Sequence, residues 1–276
     1  MTIEESDSGQ RLDRWMRRTF PWIPYSAIQS AIREGKIRMD QGRSFAHTRL
    51  ILSQQVRIYE GWFHLFGKDA SAQEPISYAW KEKIASWVLY EDDDMIGLNK
   101  PQGLATQGGT KQRISLDVLM KPYRLVHRLD KETSGVLLMA KTLSCAQILT
   151  QSFQDRKIEK EYWGVIHGHL EKEKGKIHQP LWHKDKNVFQ EATTHYRVMR
   201  CDHPLYSLVQ MFPETGRMHQ LRIHMAFLGC PLVGDGRYGL KKEKDRLQLH
   251  CRSMRLPCGQ EIVAPVPKES LFSLFH

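Results

Sequence analysis

Residues 127–142 read His-Arg-Leu-Asp-Lys-Glu-Thr-Ser-Gly-Val-Leu-Leu-Met-Ala-Lys-Thr, and they predict a polar loop that runs directly into a buried strand. The apolar run 136–140 has the length of a strand that is covered on both faces. The Thr-Ser-Gly before it supplies residues that favour a turn. Asp130 is therefore expected at the edge of a rigid sheet, with the basic Arg128 two positions before it.

Asp130 admits two interpretations. By residue type alone, an aspartate beside Thr-Ser-Gly caps a turn or pairs with a neighbouring arginine at the surface. The complete string, however, resembles the catalytic motif of the RluA-type pseudouridine synthases, in which His-Arg-Leu-Asp is followed by Thr-Ser-Gly and an apolar strand ending in Ala-Lys. A match over so many positions is far more specific than a short motif. The resemblance implies that Asp130 is the nucleophile.

Two further segments follow the order of motifs in this family. Residues 88–109 are typical of a strand, an acidic turn, a second strand and a Lys-Pro-x-Gly turn, whose Lys100 is expected to shape a loop at the rim of the site. Residues 160–168 alternate as a strand does, and they resemble the family's Lys-x-Tyr strand. The resemblance implies that Tyr162 lies against the target base, whereas the residue type alone also fits an ordinary core tyrosine.

Residues 215–239 predict an amphipathic helix followed by a Gly-rich turn. Apolar side chains recur at helical spacing, at Leu221, Met225 and Leu228. His219 and Arg222 are three positions apart and are expected to share another face, and Gly229 ends the helix. Residue type alone favours a solvated Arg222, but the resemblance makes it the basic partner that pairs with the catalytic aspartate.

The resemblance also implies a division of roles around a uridine that is flipped out of the RNA. Asp130 must be ionised to attack, and a nearby Arg222 would favour that charged form. Tyr162 stacks on the uracil or helps remove the proton from carbon 5. Arg128 fills the space left by the flipped nucleotide or holds a phosphate, and Ile223 lines the uracil pocket. No metal or cofactor is expected, and the residues leave open whether the carboxylate attacks the sugar or the base or the route passes through a glycal.

The composition suits a protein that binds nucleic acid. The chain of 276 residues is 41% hydrophobic, which suggests one large domain and a small one. Its 41 Lys and Arg against 31 Asp and Glu give a net charge of +10, which favours a polyanionic partner such as RNA. No apolar stretch approaches the roughly 20 residues that span a bilayer, so no membrane partner is expected.

The N-terminus is polar and acidic, unlike a secretory signal or a transit peptide, so we expect a cytoplasmic protein. Five cysteines, an odd number without Cys-x-x-Cys spacing, fit a reducing compartment. The 13 histidines include His219 and His224, which are five positions apart and therefore on different helix faces, and this argues against a shared metal. We expect a monomer.

The first 60 or so residues predict a separate basic unit. Residues 11–18 are typical of an amphipathic helix, with an apolar stripe formed by Leu12, Trp15 and Met16. A second helix begins at Ser26 and ends near Gly35, and two strands follow.

This unit resembles the S4-type RNA-binding domain, although residues 38–42 depart from the Val-Asn-Gly turn usual in that family. Its basic residues are expected to contact RNA phosphates, which would position the RNA without selecting the uridine. They are Arg11, Arg14, Arg18, Arg33, Lys36 and Arg38.

Together these features predict an α+β (mixed α/β) pseudouridine synthase fold with a central, largely antiparallel sheet and a small S4-type N-terminal domain. The expected boundaries are 1–62 for the RNA-binding domain, 63–84 for a linker and 85–276 for the catalytic domain, with part of the apolar segment 62–66 docking on the catalytic domain. The expected reaction is the isomerisation of specific uridines in large-subunit (23S) ribosomal RNA. The alternatives are the same reaction on transfer RNA and a non-catalytic RNA-binding ribosome assembly factor.

Overall fold

A computed structural model describes residues 1–20, 23–40, 42–63, 78–108, 114–183, 187–240 and 246–275. The contacts between residues divide the chain into two compact units, one built from the chain up to Trp80 and the other from Lys81–Gln107 and Ile114–His276. The predicted domain boundaries stay predictions, and α4 (Tyr78–Trp87) covers the end of the segment that we expected to be a linker.

The N-terminal unit packs two helices against a small antiparallel sheet. Its elements are α1 (Leu12–Thr19), α2 (Tyr25–Arg33), β1 (Ile37–Met39), β2 (Gly42–Arg43), β3 (Val56–Ile58) and α3 (Glu60–Phe63). The strand order is β2-β1-β3. The predicted apolar stripe of α1 is buried in one cluster with Ile28 and Ile32 of α2, which confirms both predicted helices. The resemblance to an S4-type domain stays a prediction.

Two details of this unit were not predicted from the sequence. Asp40 occupies the left-handed region with φ +50°, and its carboxylate accepts a hydrogen bond from the backbone N–H of Gln55 at 3.0 Å. An aspartate tolerates this conformation because its short side chain bonds locally. Trp62 and Phe63 pack into the N-terminal core, so they are not the part of segment 62–66 that docks on the catalytic domain. Leu65 and Phe66 lie outside the described residues, and the expected docking stays a prediction for them.

The second unit contains a sheet of ten strands and a separate two-stranded hairpin. The sheet strands are β4 (Val88–Glu91), β5 (Met95–Lys100), β6 (Arg124–Leu125), β7 (Ser134–Ala140), β8 (Glu159–His167), β9 (Lys174–His178), β12 (Thr193–Arg200), β13 (Tyr206–Pro213), β14 (Leu249–Arg255) and β15 (Glu261–Val263). The hairpin is β10 (Leu181–His183) and β11 (Val188–Gln190). Along the sheet the order is β4-β5-β7-β14-β8-β13-β12-β9, with β15 on β14 and β6 on β7.

The sheet is largely antiparallel, as predicted. Among its described strand pairs only β7 and β14 run parallel. The predicted strand over 136–140 lies within β7, all seven residues of which are buried, because β7 lies inside the sheet with both of its faces covered.

Gly135 explains why the motif requires glycine where β7 begins. Its φ is +108°, and a Cβ at this position would overlap the backbone carbonyl of Cys251 on β14. Only glycine combines this backbone conformation with so close an approach of two strands.

The turn before β7 is one step earlier than predicted, since the Thr133 N–H donates to the Asp130 carbonyl at 3.1 Å and Ser134 already belongs to the strand.

The helices of this unit are α4, α5 (Leu116–Leu119), α6 (Leu143–Gln154) and α7 (Gln220–Phe227). The predicted amphipathic helix is confirmed as α7, with Leu221 and Met225 buried. Gly229 ends it in the left-handed region at φ +75°. The N–H groups of Gly229 and Cys230 donate to the carbonyls of Ala226 and Met225, which is the hydrogen-bond pattern of a glycine-terminated helix.

Candidate active site

The loop that carries Asp130 is tied to β7 by His127. The Nε2 atom of His127 accepts a hydrogen bond from the Leu138 N–H at 2.8 Å. Burial, together with the charge of Lys160, lowers the pKa of His127 to about 3, so the ring is neutral and keeps its acceptor at neutral pH. The first residue of the His-Arg-Leu-Asp motif therefore holds the loop in place.

Lys100 fixes the same loop from the other side. Its side chain is completely buried, and the ammonium donates to the carbonyls of Pro101 at 2.9 Å, Leu104 at 2.8 Å and Lys131 at 3.2 Å. Burial lowers the pKa of Lys100 to about 7, against the opposing charges of Glu132 and Asp130. Lys100 thus shapes the loop as expected, but it does so from the core, by joining its own turn to the turn after Asp130.

One cavity of about 540 Å³ brings the three predicted catalytic residues together. Asp130, Tyr162 and Arg222 all line it, and the Asp130 side chain is 33% exposed, so a ligand can reach the carboxylate. Arg128 also lines it. Three further basic residues on its walls were not predicted, namely Arg156, Lys160 and Arg217. A concave, basic cavity of this size suits a nucleotide with its phosphate.

Ile223 does not line this cavity. It is half-buried on α7, and Leu221 and Leu249 provide the aliphatic part of the wall. The structure thus corrects the expected position of Ile223 in the uracil pocket. Successive residues of a helix are turned by about 100°, so Ile223 points roughly 200° away from Leu221, which lines the cavity.

Tyr162 lies on β8, opposite Cys251 of the neighbouring strand β14. The pKa of Tyr162 is raised well above its ordinary value, mainly by burial, and further by the Cys251 thiol and the Asp130 carboxylate. Tyr162 is therefore a neutral phenol at neutral pH, with an aromatic face available at the cavity wall. This favours contact with a base over the removal of a proton by an ionised tyrosine.

Arg222 has a different partner from the expected one. Its guanidinium forms a two-pronged ion pair with Asp235, with N–O distances of 2.8 and 2.6 Å. Among the described residues no ion pair joins Arg222 to Asp130, so the expected direct contact is wrong. The charge of Asp130 nevertheless helps to raise the pKa of Arg222 against burial, together with Asp235, so the two groups are electrostatic neighbours.

Asp235 is a site residue that sequence reasoning missed. It is buried, and its Oδ1 also accepts the N–H groups of Arg237 and Tyr238 at 2.9 Å each. Burial alone raises the pKa of Asp235, but Arg222 and these two N–H groups hold it below its usual value. The available signal was an aspartate between two glycines in the turn after the helix.

His219 is the residue before α7 and does not share a helical face with Arg222, contrary to expectation. It has φ +56°, its Nε2 is 3.8 Å from Oδ2 of Asp130, and its Nδ1 is 3.0 Å from the Tyr238 hydroxyl. The Tyr238 ring lies against Arg222, whose guanidinium carbon is 5.2 Å from the ring centre. A connected set of contacts thus runs from Asp235 through Arg222 and Tyr238 to His219 beside Asp130.

The basic residues predicted for RNA binding in the N-terminal unit fall into two groups. Arg11, Arg18 and Lys36 pair with the carboxylates of Asp13, Asp7 and Glu34. Arg38 donates to the Gly35 carbonyl at 2.8 Å. Arg14 and Arg33 are exposed, and within the described part of the chain neither has an ion-pair partner.

Asp13 explains the position of Arg11. The carboxylate is 1% exposed and also accepts a hydrogen bond from the Tyr25 hydroxyl at 2.9 Å. Arg11 therefore neutralises a buried charge within the unit. Arg14 and Arg33 are exposed arginines without such a partner, and a phosphate can reach them.

Two kinds of site are absent from the part of the chain that the structure describes. No group of three or more His, Cys, Asp or Glu side chains there could hold a metal ion. No described helix combines the length and the apolar character needed to cross a membrane.

Comparison with known proteins gives concordant matches. Residues 94–227 match a family described as RNA pseudouridylate synthase. The chain is 34% identical to the ribosomal large subunit pseudouridine synthase C of Rickettsia bellii, over 94% of this chain and 91% of that protein. It is 31% identical to the protein of the same name from Buchnera aphidicola, over 92% of this chain and 88% of that protein.

A solved structure resembles the fold. The human RNA pseudouridylate synthase domain containing 4 superposes with a TM-score of 0.64 at 25% sequence identity. The match covers 71% of this chain and 95% of the human chain.

Proposed function

This chain belongs to the RNA pseudouridylate synthase family and is an RNA pseudouridine synthase, and from that premise we propose that it isomerises specific uridines of large-subunit ribosomal RNA with Asp130 as the nucleophile. The observation that carries the proposal is the cavity shared by Asp130, Tyr162 and Arg222. The choice of ribosomal RNA is supported by relatives named for the large ribosomal subunit, which align with more than 90% of this chain.

The reaction needs a base that is detached, turned and rejoined. A uridine flipped out of the RNA stack at a cost of a few kcal/mol brings its glycosidic bond to Asp130. The carbon–nitrogen bond to the ribose breaks, uracil turns so that carbon 5 faces the sugar, and a carbon–carbon bond forms. The proton at carbon 5 is then lost and the ring nitrogen that was attached to the ribose gains a proton, so atoms and charges balance without a net reactant.

Each of the other residues has a role that its surroundings support. Tyr162 stacks on the uracil, because its raised pKa keeps the phenol neutral. Arg222, held by Asp235, acts on Asp130 as a fixed positive charge without touching it. Arg128, which is exposed on the cavity wall, fills the gap left in the RNA or holds a phosphate.

The N-terminal unit is proposed as an S4-type RNA-binding domain that positions the substrate. Arg14 and Arg33 supply accessible positive charge, and Arg38 adds to it from β1. Contacts of this kind are salt-dependent and independent of sequence. The uridine is thus chosen by the catalytic unit and by the shape of the RNA.

We also propose that the protein acts as a monomer in the cytoplasm. The five cysteines are all free, which suits a reducing compartment.

Pseudouridine mapping of total RNA tests the proposal. Carbodiimide labelling and primer extension are compared between cells with the gene intact, deleted, restored, or restored as Asp130→Asn. We expect specific sites in large-subunit RNA to disappear on deletion and to return with the wild-type gene but not with the variant. The purified variant should keep its RNA affinity within a few fold, because removing one exposed charge leaves the phosphate contacts intact.

Other results would change the assignment. Losses confined to transfer RNA would keep the reaction and change the substrate. Full restoration by Asp130→Asn would remove Asp130 from the role of nucleophile, and an unchanged pattern in every RNA would support a non-catalytic assembly factor.

A further inference from the structure

His219 stands between the proposed nucleophile and a tyrosine that the mechanism does not use. Its Nε2 is 3.8 Å from Oδ2 of Asp130, and its Nδ1 is 3.0 Å from the Tyr238 hydroxyl. The His219 side chain is 16% exposed and lines the cavity that holds Asp130. The imidazole is therefore within a small movement of a hydrogen bond to the carboxylate.

The backbone at His219 is held in a costly conformation. A φ of +56° is uncommon for any residue with a side chain and is typical of functional sites when the surroundings enforce it. Here the next residue, Gln220, is the anchor, because its buried amide bonds Thr215 at 2.6 Å and the Thr193 carbonyl at 2.9 Å. The enforced bend points the His219 ring towards Asp130 rather than along the helix.

The neighbours of the ring determine which nitrogen carries its proton. A carboxylate can only accept hydrogen bonds, so the nitrogen that faces Asp130 is the protonated one. Nδ1 then accepts from the Tyr238 hydroxyl. Tyr238 is itself held in place, because its backbone N–H donates to the Asp235 carboxylate and the Arg222 guanidinium lies over its ring. Tyr238 and Asp130 thus together favour the His219 tautomer with its proton on Nε2.

Burial is the main reason that the His219 ring is neutral. Burial lowers the pKa of His219, and the positive charges of Arg222 and Arg237 lower it further, while Asp130 and Asp235 oppose them. A neutral ring gives one donor for Asp130 and one acceptor for Tyr238, as the geometry requires.

We propose that His219 is a positioning residue, which orients the Asp130 carboxylate for attack by donating a hydrogen bond from Nε2–H when RNA enters the cavity. Hydrogen bonds at catalytic groups often tighten in the substrate complex, and closure from 3.8 Å to bonding distance needs only a side-chain adjustment. The inference rests on Asp130 being the nucleophile, as proposed above.

Two nearly isosteric variants test it. His219→Met and His219→Gln place similar unbranched side chains on the same bent backbone, but only glutamine keeps an N–H at the outer position. Tritium release is measured from ribosomal RNA of deletion cells grown with uridine labelled at carbon 5, under single-turnover conditions and over a range of RNA concentrations. A hydrogen bond to a charged group corresponds to roughly a tenfold to hundredfold effect on rate.

We expect His219→Met to lower the maximal rate roughly tenfold to hundredfold, while the apparent RNA affinity stays within about twofold of the wild type. His219→Gln should recover most of the rate. Equal losses in both variants, or a loss in affinity alone, would overturn the positioning role, as would a methionine variant as active as the wild type. If the wild-type enzyme released no tritium, or Asp130→Asn released it at the wild-type rate, the proposed function would fail instead, so the two failures are distinguishable.

Discussion

At the scale of single residues, the positive charge of Arg222 acts on Asp130 without an ion pair between the two side chains. Arg222 is committed to Asp235 at both of its contacting nitrogens, and Asp130 keeps its oxygens accessible. An arginine paired with both oxygens of the nucleophile would have to release one of them before attack. Holding the arginine on a second carboxylate provides the positive field without this cost.

We expect Asp235→Asn to lower both stability and activity. The variant leaves a buried guanidinium without its counter-charge, which should cost roughly 3–5 kcal/mol of unfolding free energy. The freed Arg222 should also bond Asp130 and slow turnover at least tenfold. Urea denaturation and single-turnover tritium release measure the two effects.

Asp202→Asn provides the matched control. Its partner Arg200 lies at 3.2 Å, but the two side chains are 66% and 53% exposed. An exposed pair is worth about 0–1 kcal/mol, so this variant should behave like the wild type. Equal behaviour of the two variants would contradict the role given to the buried pair.

At the scale of elements, the catalytic loop depends on the contact between β7 and β14. The two strands run parallel and meet at Gly135 and Cys251, next to the turn that follows Asp130. Ser134 and His250 of the same strands are joined at 2.9 Å. The position of Asp130, the proposed nucleophile, is therefore set by how closely these strands approach.

Gly135→Ala should separate the two strands. The new Cβ would meet the Cys251 backbone in a conformation that already disfavours alanine, so we expect a loss of roughly 3–5 kcal/mol and little activity per folded molecule. Gly168→Ala is the control for the cost of the backbone conformation alone, because Gly168 has φ +71° and no atom lies within 4 Å of the added Cβ. This variant should lose about 1–2 kcal/mol of unfolding free energy. Equal unfolding free energies in urea for the two variants would contradict this explanation.

Local patterns predicted the elements but not the contacts that join them. β7 and α7 were predictable because their apolar residues recur within one segment, and the motif indicated Asp130, Tyr162 and Arg222 as site residues. The partner of Arg222 was not predictable, since several acidic residues follow the helix and only the folded turn brings Asp235 to it. The same holds for Lys100, whose long aliphatic chain and charge suggest the surface until three carbonyls are seen to receive its ammonium.

At the scale of the whole molecule, the count of 41 Lys and Arg overstates the positive charge that RNA can use. Many basic residues already have a carboxylate, as Arg11 and Lys36 do in the N-terminal unit and Arg200 and Arg255 do in the catalytic unit. Accessible, unpaired arginines should therefore dominate the electrostatic part of RNA binding.

Arg14→Ala combined with Arg33→Ala should weaken RNA binding and lower its salt dependence. Each lost phosphate contact reduces the slope of log affinity against log salt by about 0.7–0.9. Arg200→Ala with Arg255→Ala removes the same charge from paired positions and should change the slope less. Filter binding at several salt concentrations compares the two double variants, and identical slopes would count against an RNA-binding face at Arg14 and Arg33.

The central position of β14 has a consequence for how the enzyme is made. Ser134 and His250 are 116 residues apart, so a growing chain exposes the Asp130 loop long before β14 is translated. At about 5–20 residues per second, this interval lasts roughly 6–23 seconds. During that time β7 lacks the neighbour that separates it from β8, and the nascent protein should be unable to act on the RNA of the ribosome that is synthesising it.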